Sequence, residues 1–201
     1  MMINIDQENT IFMNKVFVYG TLKNGQPNFF RLMDPDSGSA TFVNEGRTVD
    51  KYPLVIERSW NLPCLLNEPG TGMVDIRGNV KGEIYDVDEK KMKFLDYFED
   101  HPDMYRRTLI SVEHKSSVKT QPNVPDSHTG TPNSQENQPS THSCTVAPNS
   151  QASQPSSRSE CWCYFYNHDG SLSELPHMDN YDSKGNHGLE YDRSVDVEFD
   201  N

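Results

Sequence analysis

Three carboxylates crowd one short stretch of this 201-residue chain: Asp96, Glu99 and Asp100, at the end of the segment EKKMKFLDYFED. A carboxylate can carry a proton between a nucleophile and a leaving group when its surroundings raise its pKa toward neutrality. The segment is rich in strong helix formers, follows a good N-cap in Asp88 and ends before Pro102, so it is read as a helix. At 100° per residue Met92, Phe94, Leu95 and Phe98 form one broad apolar arc, and Glu99 falls between Met92 and Leu95. Asp96 and Asp100 project away from that arc, toward solvent. An inward carboxylate is costly unless it is paired or shifted in pKa. Residue type and spacing leave two readings of Glu99 open: half of a structural ion pair, the commoner use, or a proton-transfer group.

A second candidate is backbone rather than side chain. The run VFVYGTL, Val16 to Leu22, is β-branched and aromatic until it meets Gly20, where a strand empties into a loop and a ligand could approach the N–H groups closely. A plain strand-to-loop turn explains the local sequence equally well. Gly20 and Gly25 have the spacing of a phosphate-binding loop, but Gln26 and Pro27 stand where Lys and Ser or Thr are required, which discards a nucleotide site. No Ser-His-Asp or Cys-His arrangement emerges from the seven histidines. Cys64 is isolated, Cys144 lies in a polar stretch, and Cys161 and Cys163 are two apart on one strand. That pattern gives no metal-binding set, and reduced thiols are expected.

The elements that must position these residues are mostly strands. Besides the first run, Ala40–Val49, Tyr52–Ile56, Gly82–Val87, Arg106–Val112 and Cys161–Tyr166 read as β, with turns at KNGQPN and at Pro69 to Gly72 in LPCLLNEPGTG. A second helix is expected around Phe29–Met33. Too few crossover helices are present for a doubly wound sheet, so the fold class is α+β with a strongly bent or closed sheet.

The hydrophobic fraction is only 33%, and the deficit is concentrated. From Lys115 to Glu160 there is no Leu, Ile, Met, Phe, Tyr or Trp, so that segment cannot offset its ordering entropy and is read as a disordered low-complexity insertion. The expected organisation is a flexible N-terminus over residues 1–14 and a single domain built from 15–114 and 161–201. The insertion carries three basic and three acidic residues, so the net charge of −12 belongs to the remainder. An acidic surface is repelled by phosphate backbones and anionic lipid, which argues against nucleic-acid and membrane partners. The N-terminal MMINIDQENTIFMNK lacks a basic n-region and a long apolar run, so a cytoplasmic protein is expected, as is a monomer acting on a small molecule.

VFVYGTLKNGQPN, GRTVDKYPLVI, GEIYDVDEKKMKFLDYFE and YDSKGNHGLEY together closely resemble the gamma-glutamylaminecyclotransferases, of the wider gamma-glutamylcyclotransferase-like fold family. The resemblance covers nearly everything outside the first dozen residues and the insertion. It implies a small mixed β-barrel with surrounding helices, and it places the family's substrate-cradling loop on Tyr19, Gly20, Thr21 and Leu22 and its catalytic glutamate on Glu99. It also implies ring closure of a gamma-glutamylamine, foremost L-gamma-glutamyl-L-epsilon-lysine from degraded crosslinks, to 5-oxoproline and a free amine, without metal or cofactor. The alternatives are a cyclotransferase for another gamma-glutamyl compound and a catalytically silent binding module. The sequence departs from the family pattern at Cys64, where related chains are expected to carry Trp in the pocket wall.

Overall fold

The computed structural model describes residues 13–70, 79–115 and 156–194. Five strands close into a barrel in the order β1 (Asn14–Val18), β5 (Lys81–Val87), β2 (Ala40–Thr48), β6 (Tyr105–Lys115) and β7 (Ser156–Tyr166). Every pairing is antiparallel except the one that closes the ring, where β7 meets β1 in parallel at Val16 and Trp162. A separate hairpin of β3 (Leu54–Glu57) and β4 (Leu62–Leu65) joins the C-terminal segment through a bridge between Leu54 and Met178. Among the described residues two α-helices accompany the barrel, α1 (Phe29–Met33) and α2 (Glu89–Phe98), with a short 3-10 turn at Pro35–Ser37. The expected α+β barrel is therefore the one observed.

The period-two alternation of β1 explains how the barrel is filled. Phe17 packs with Ile84, Ile110, Val112, Cys163 and Phe165 in one cluster. Val16 and Val18 face the other way, onto Leu32, Tyr85, Met92 and Leu95, where α2 covers the sheet. In β6 the same alternation buries Ile110 and Val112 and leaves Leu109 exposed. The N-cap of α2 is Asp88, whose carboxylate accepts from the Lys91 N–H. Lys91 itself is fully buried, an outcome its place in a polar helix does not announce. Its ammonium donates to the carbonyls of Arg31 and Asp34 and to the Ser37 hydroxyl, fastening the α1 end to α2.

Several boundaries differ from the sequence reading. Asn14 belongs to β1 and pairs with Val87. Residues 156–160, assigned to the insertion, form the first half of β7 and pair with 111–115, because two paired eleven-residue strands let polar residues join a ladder that β6 already specifies. Lys115, also assigned to the insertion, is the last residue of β6, while residues 116–155, which include Cys144, the first twelve residues and Gly72 of the expected turn lie outside the described residues. Leu62–Leu65 is a strand that the Pro-rich context concealed, with Pro63 opposite Ile56. Among the described residues no helix is long and apolar enough to cross a membrane.

Candidate active site

The first strand ends at Val18, so Tyr19 to Leu22 leave the ladder as a loop that leads into α1. Local bonds hold it: Lys23 N–H donates to the Gly20 carbonyl, and Asn28 N–H to the Thr21 carbonyl. Gly25, the turn residue the sequence suggests, has φ of 76°, in the left-handed region that favours glycine. Gly20 serves a different need. A β-carbon there would stand 2.8 Å from Cγ of Pro63, so only glycine lets the loop lie against the β3–β4 hairpin. Among the described residues, the N–H groups of Gly20, Thr21 and Leu22 donate to no protein acceptor.

Opposite this loop α2 terminates. Glu99 is its C-cap rather than a residue of its last turn, and the chain turns away because Asp100 takes φ of 47°. The Glu99 N–H donates to Leu95 and its carbonyl accepts from Tyr105 N–H, which pins the residue at the junction of α2 and β6. Its carboxylate has no hydrogen-bond or ion-pair partner among the described residues. Desolvation alone drives its pKa from the ordinary carboxylate range to about 8.

Loop and glutamate line one cavity of about 80 Å³, several times the space that a single water needs. Tyr19, Gly20, Thr21, Leu22 and Glu99 all border it, together with residues that sequence reasoning missed: Asn28, Pro63, Tyr105, Tyr164 and Tyr191. The last three, all tyrosines, come from β6, β7 and the C-terminal segment, and isolated aromatics on such elements carry no signal separating pocket from core. The Tyr19 hydroxyl is already engaged, donating to the Tyr164 carbonyl at 2.8 Å, so this residue offers the cavity its ring and backbone. Tyr105 donates to the Pro63 carbonyl at 3.4 Å.

The structure corrects the expected orientation of Asp96. It is half-buried, accepts from the Tyr164 hydroxyl at 2.7 Å and pairs with Arg107 at 3.2 Å. The helical wheel placed it away from the arc correctly, but β6 and β7 wrap that side of the helix, so the direction leads to protein rather than water. Asp100 is exposed, as expected. Cys64, where related chains are expected to carry Trp, is fully buried beside the Tyr105 hydroxyl and is not among the residues bordering the cavity, although Leu62 and Pro63 are, and burial pushes its thiol up to about 12. Cys161 and Cys163 are likewise free and buried.

A family model described as gamma-glutamyl cyclotransferase, AIG2-like, matches residues 16–183. The chain belongs to this family. It is 37% identical over 185 residues to the gamma-glutamylaminecyclotransferase of Homo sapiens, covering 89% of this chain and 96% of that one. Over 101 residues it is 56% identical to gamma-glutamylaminecyclotransferase B of Danio rerio, a match that spans half of each chain. The crystal structure of an AIG2-like protein from Mus musculus is similar with a TM-score of 0.66 at 34% identity, covering 90% of this chain and 95% of that one. The closed barrel is thus the family's fold, and every residue lining the cavity of this cyclotransferase family member except Tyr191 falls within the matched span.

Proposed function

We propose that the protein closes gamma-glutamylamines into 5-oxoproline and free amine, with L-gamma-glutamyl-L-epsilon-lysine as its preferred substrate. The observation that carries this reading is the unpartnered Glu99 carboxylate, raised to about 8, sharing one apolar cavity with the undonated N–H groups of Gly20 to Leu22. An acid–base group is most effective when its pKa lies near the working pH. The names of the Homo sapiens and Danio rerio relatives support the amine class of substrate.

In the proposed reaction the substrate is held curled, so that its α-nitrogen faces its own γ-carbonyl. Well-oriented intramolecular attack of this kind reaches effective molarities of about 10⁵ to 10⁸ M. The α-nitrogen attacks as the free amine, its ammonium form having first given up one proton to solvent, and Glu99 removes a further proton from it as the new C–N bond forms. The same proton passes to the departing nitrogen as the γ-amide bond breaks, so no water is consumed and Glu99 returns to its starting state. Backbone N–H groups of the Gly20–Leu22 loop face the carbonyl oxygen while it carries negative charge. Tyr19 and Leu22 act by shaping the wall.

The proposal is tested by 5-oxoproline release from a panel holding gamma-glutamyl-epsilon-lysine, glutathione and gamma-glutamyl-alanine. The expected result is the highest kcat/KM for the epsilon-lysine compound. Equal or reversed values would assign the cavity to another gamma-glutamyl compound, and calorimetric binding without release would make it a silent module.

A further inference from the structure

Asn28 is fully buried, borders the cavity and has an unusual hydrogen-bond state. Its Nδ2 donates to two hydroxyls, Thr21 Oγ1 at 3.2 Å and Tyr191 at 3.1 Å, while its Oδ1 has no partner among the described residues. A buried carbonyl-type oxygen left unpaired carries a desolvation cost that folded proteins rarely leave standing. The backbone does not explain it, because the Asn28 N–H and carbonyl are both engaged, with Thr21 and Arg31. The two hydroxyl partners come from the Gly20 loop and from the C-terminal segment. That segment is itself tied down where Asn61 donates to the Glu190 carbonyl and Asp192 N–H to Trp60. The carboxamide is therefore held from two sides, with one buried acceptor uncommitted on a residue that borders the cavity.

We propose that Asn28 is a substrate-binding residue whose Oδ1 accepts an N–H of the α-ammonium group of a gamma-glutamyl ligand. This inference rests on the proposed function for the class of ligand. Asn28 and Glu99 border the same cavity, one with a neutral acceptor and the other with an ionisable one, so a ligand that reaches both would have its α-nitrogen held and still open to deprotonation. A neutral amide suits this position, because a second carboxylate beside Glu99 would raise the pKa of Glu99 further and hold it protonated. Tyr191 then acts as a positioning residue through Asn28.

Binding distinguishes this role from a structural one. Calorimetry would compare gamma-glutamyl-epsilon-lysine with its glutaryl counterpart, which is identical except that the α-amino group is missing, on wild type, Asn28→Leu and the Thr21→Val/Tyr191→Phe double variant. Asn28→Leu is expected to weaken the amine-bearing ligand by about tenfold or more, the scale of a lost hydrogen bond to a charged group, and the amine-free ligand by under about threefold. The double variant, which keeps Oδ1, should fall between wild type and Asn28→Leu for the amine-bearing ligand. Equal weakening of both ligands, or a double variant as defective as Asn28→Leu, overturns the proposal and leaves Asn28 a bracket for the loop. Asn28→Ala is read in the same way should the leucine variant misfold. The readout is binding, so it decides the role of Asn28 even where wild type binds the ligand but releases no 5-oxoproline, a result that would count against the proposed reaction alone.

Discussion

Asp96 and Glu99 lie three residues apart at the end of one helix, yet they face two regions of opposite character. On the Asp96 side β6 and β7 bring a tyrosine hydroxyl and a guanidinium to the carboxylate, and Arg107 is further seated over the Trp162 ring at 4.9 Å. On the Glu99 side the same strands bring the rings of Tyr105 and Tyr164 to the cavity, and among the described residues the carboxylate meets no donor. One region satisfies its acid and uses it to join α2 to the barrel. The other leaves its acid short of solvation and partners, which costs stability and raises the pKa. Proximity in sequence therefore says little about the role of a carboxylate; the donors arriving from distant strands decide it.

The most severe challenge to that contrast is Glu99→Gln, which keeps the shape of the side chain and abolishes proton relay. It is expected to lower kcat by about 10² to 10⁴ while the melting temperature stays level or rises. A folded variant that keeps kcat within tenfold of wild type would refute the assignment of Glu99 as the proton carrier.

The pH dependence of stability probes the same difference. The folded-state pKa of Glu99, about 8, lies above its ordinary value of 4.5. Below the ordinary value both folded and unfolded states hold the proton and Glu99 costs nothing. Between the two values the folded state must either keep its proton or surrender it at a cost, so stability falls as pH rises, and the loss is complete above pH 8. Glu99→Gln lacks this dependence. Denaturant unfolding at pH 5 and pH 9 should therefore show the variant gaining on wild type at the higher pH, by on the order of a few kcal/mol. A constant difference across that window would mean that Glu99 is not desolvated.

On the satisfied side, Asp96→Asn keeps an acceptor for Tyr164 and gives up the charge facing Arg107. The expected outcome is a loss of about 1 to 2 kcal/mol, seen as a melting temperature lower by several degrees, with kcat reduced less than tenfold. A loss of activity as large as that of Glu99→Gln would erase the distinction between the two acids.

The smallest effect is expected farthest from both. Lys115 and Ser156 are paired across the end of the β6–β7 hairpin, so a two-residue Asn-Gly turn can replace residues 116–155 without moving either strand. With Tyr105 and Tyr164 at the other end of the hairpin, kcat/KM should stay within about twofold of wild type. A large loss in a folded deletion protein would make the replaced segment part of the enzyme.

Local signals determined a good deal on their own. Period-two alternation marked β6, Asp88 and the run of helix formers marked α2, the Asn-Gly-Gln-Pro turn marked the bend after the Gly20 loop, and the wheel of α2 separated Glu99 from Asp96. Each of these depends on neighbours a few residues apart. Long-range pairing decided the rest. The strand status of Leu62–Leu65 comes from a partner in β3, and the extension of β7 back to Ser156 comes from β6. Asn28 became a candidate ligand only when Thr21 and Tyr191, one of them 163 residues away, occupied its amide and left its oxygen unpaired. Whether Glu99 was an ion-pair partner or a free acid could not be read from α2 alone. Tertiary packing settled its surroundings, because the pKa of a carboxylate depends on which donors reach it, and here they reached Asp96 instead.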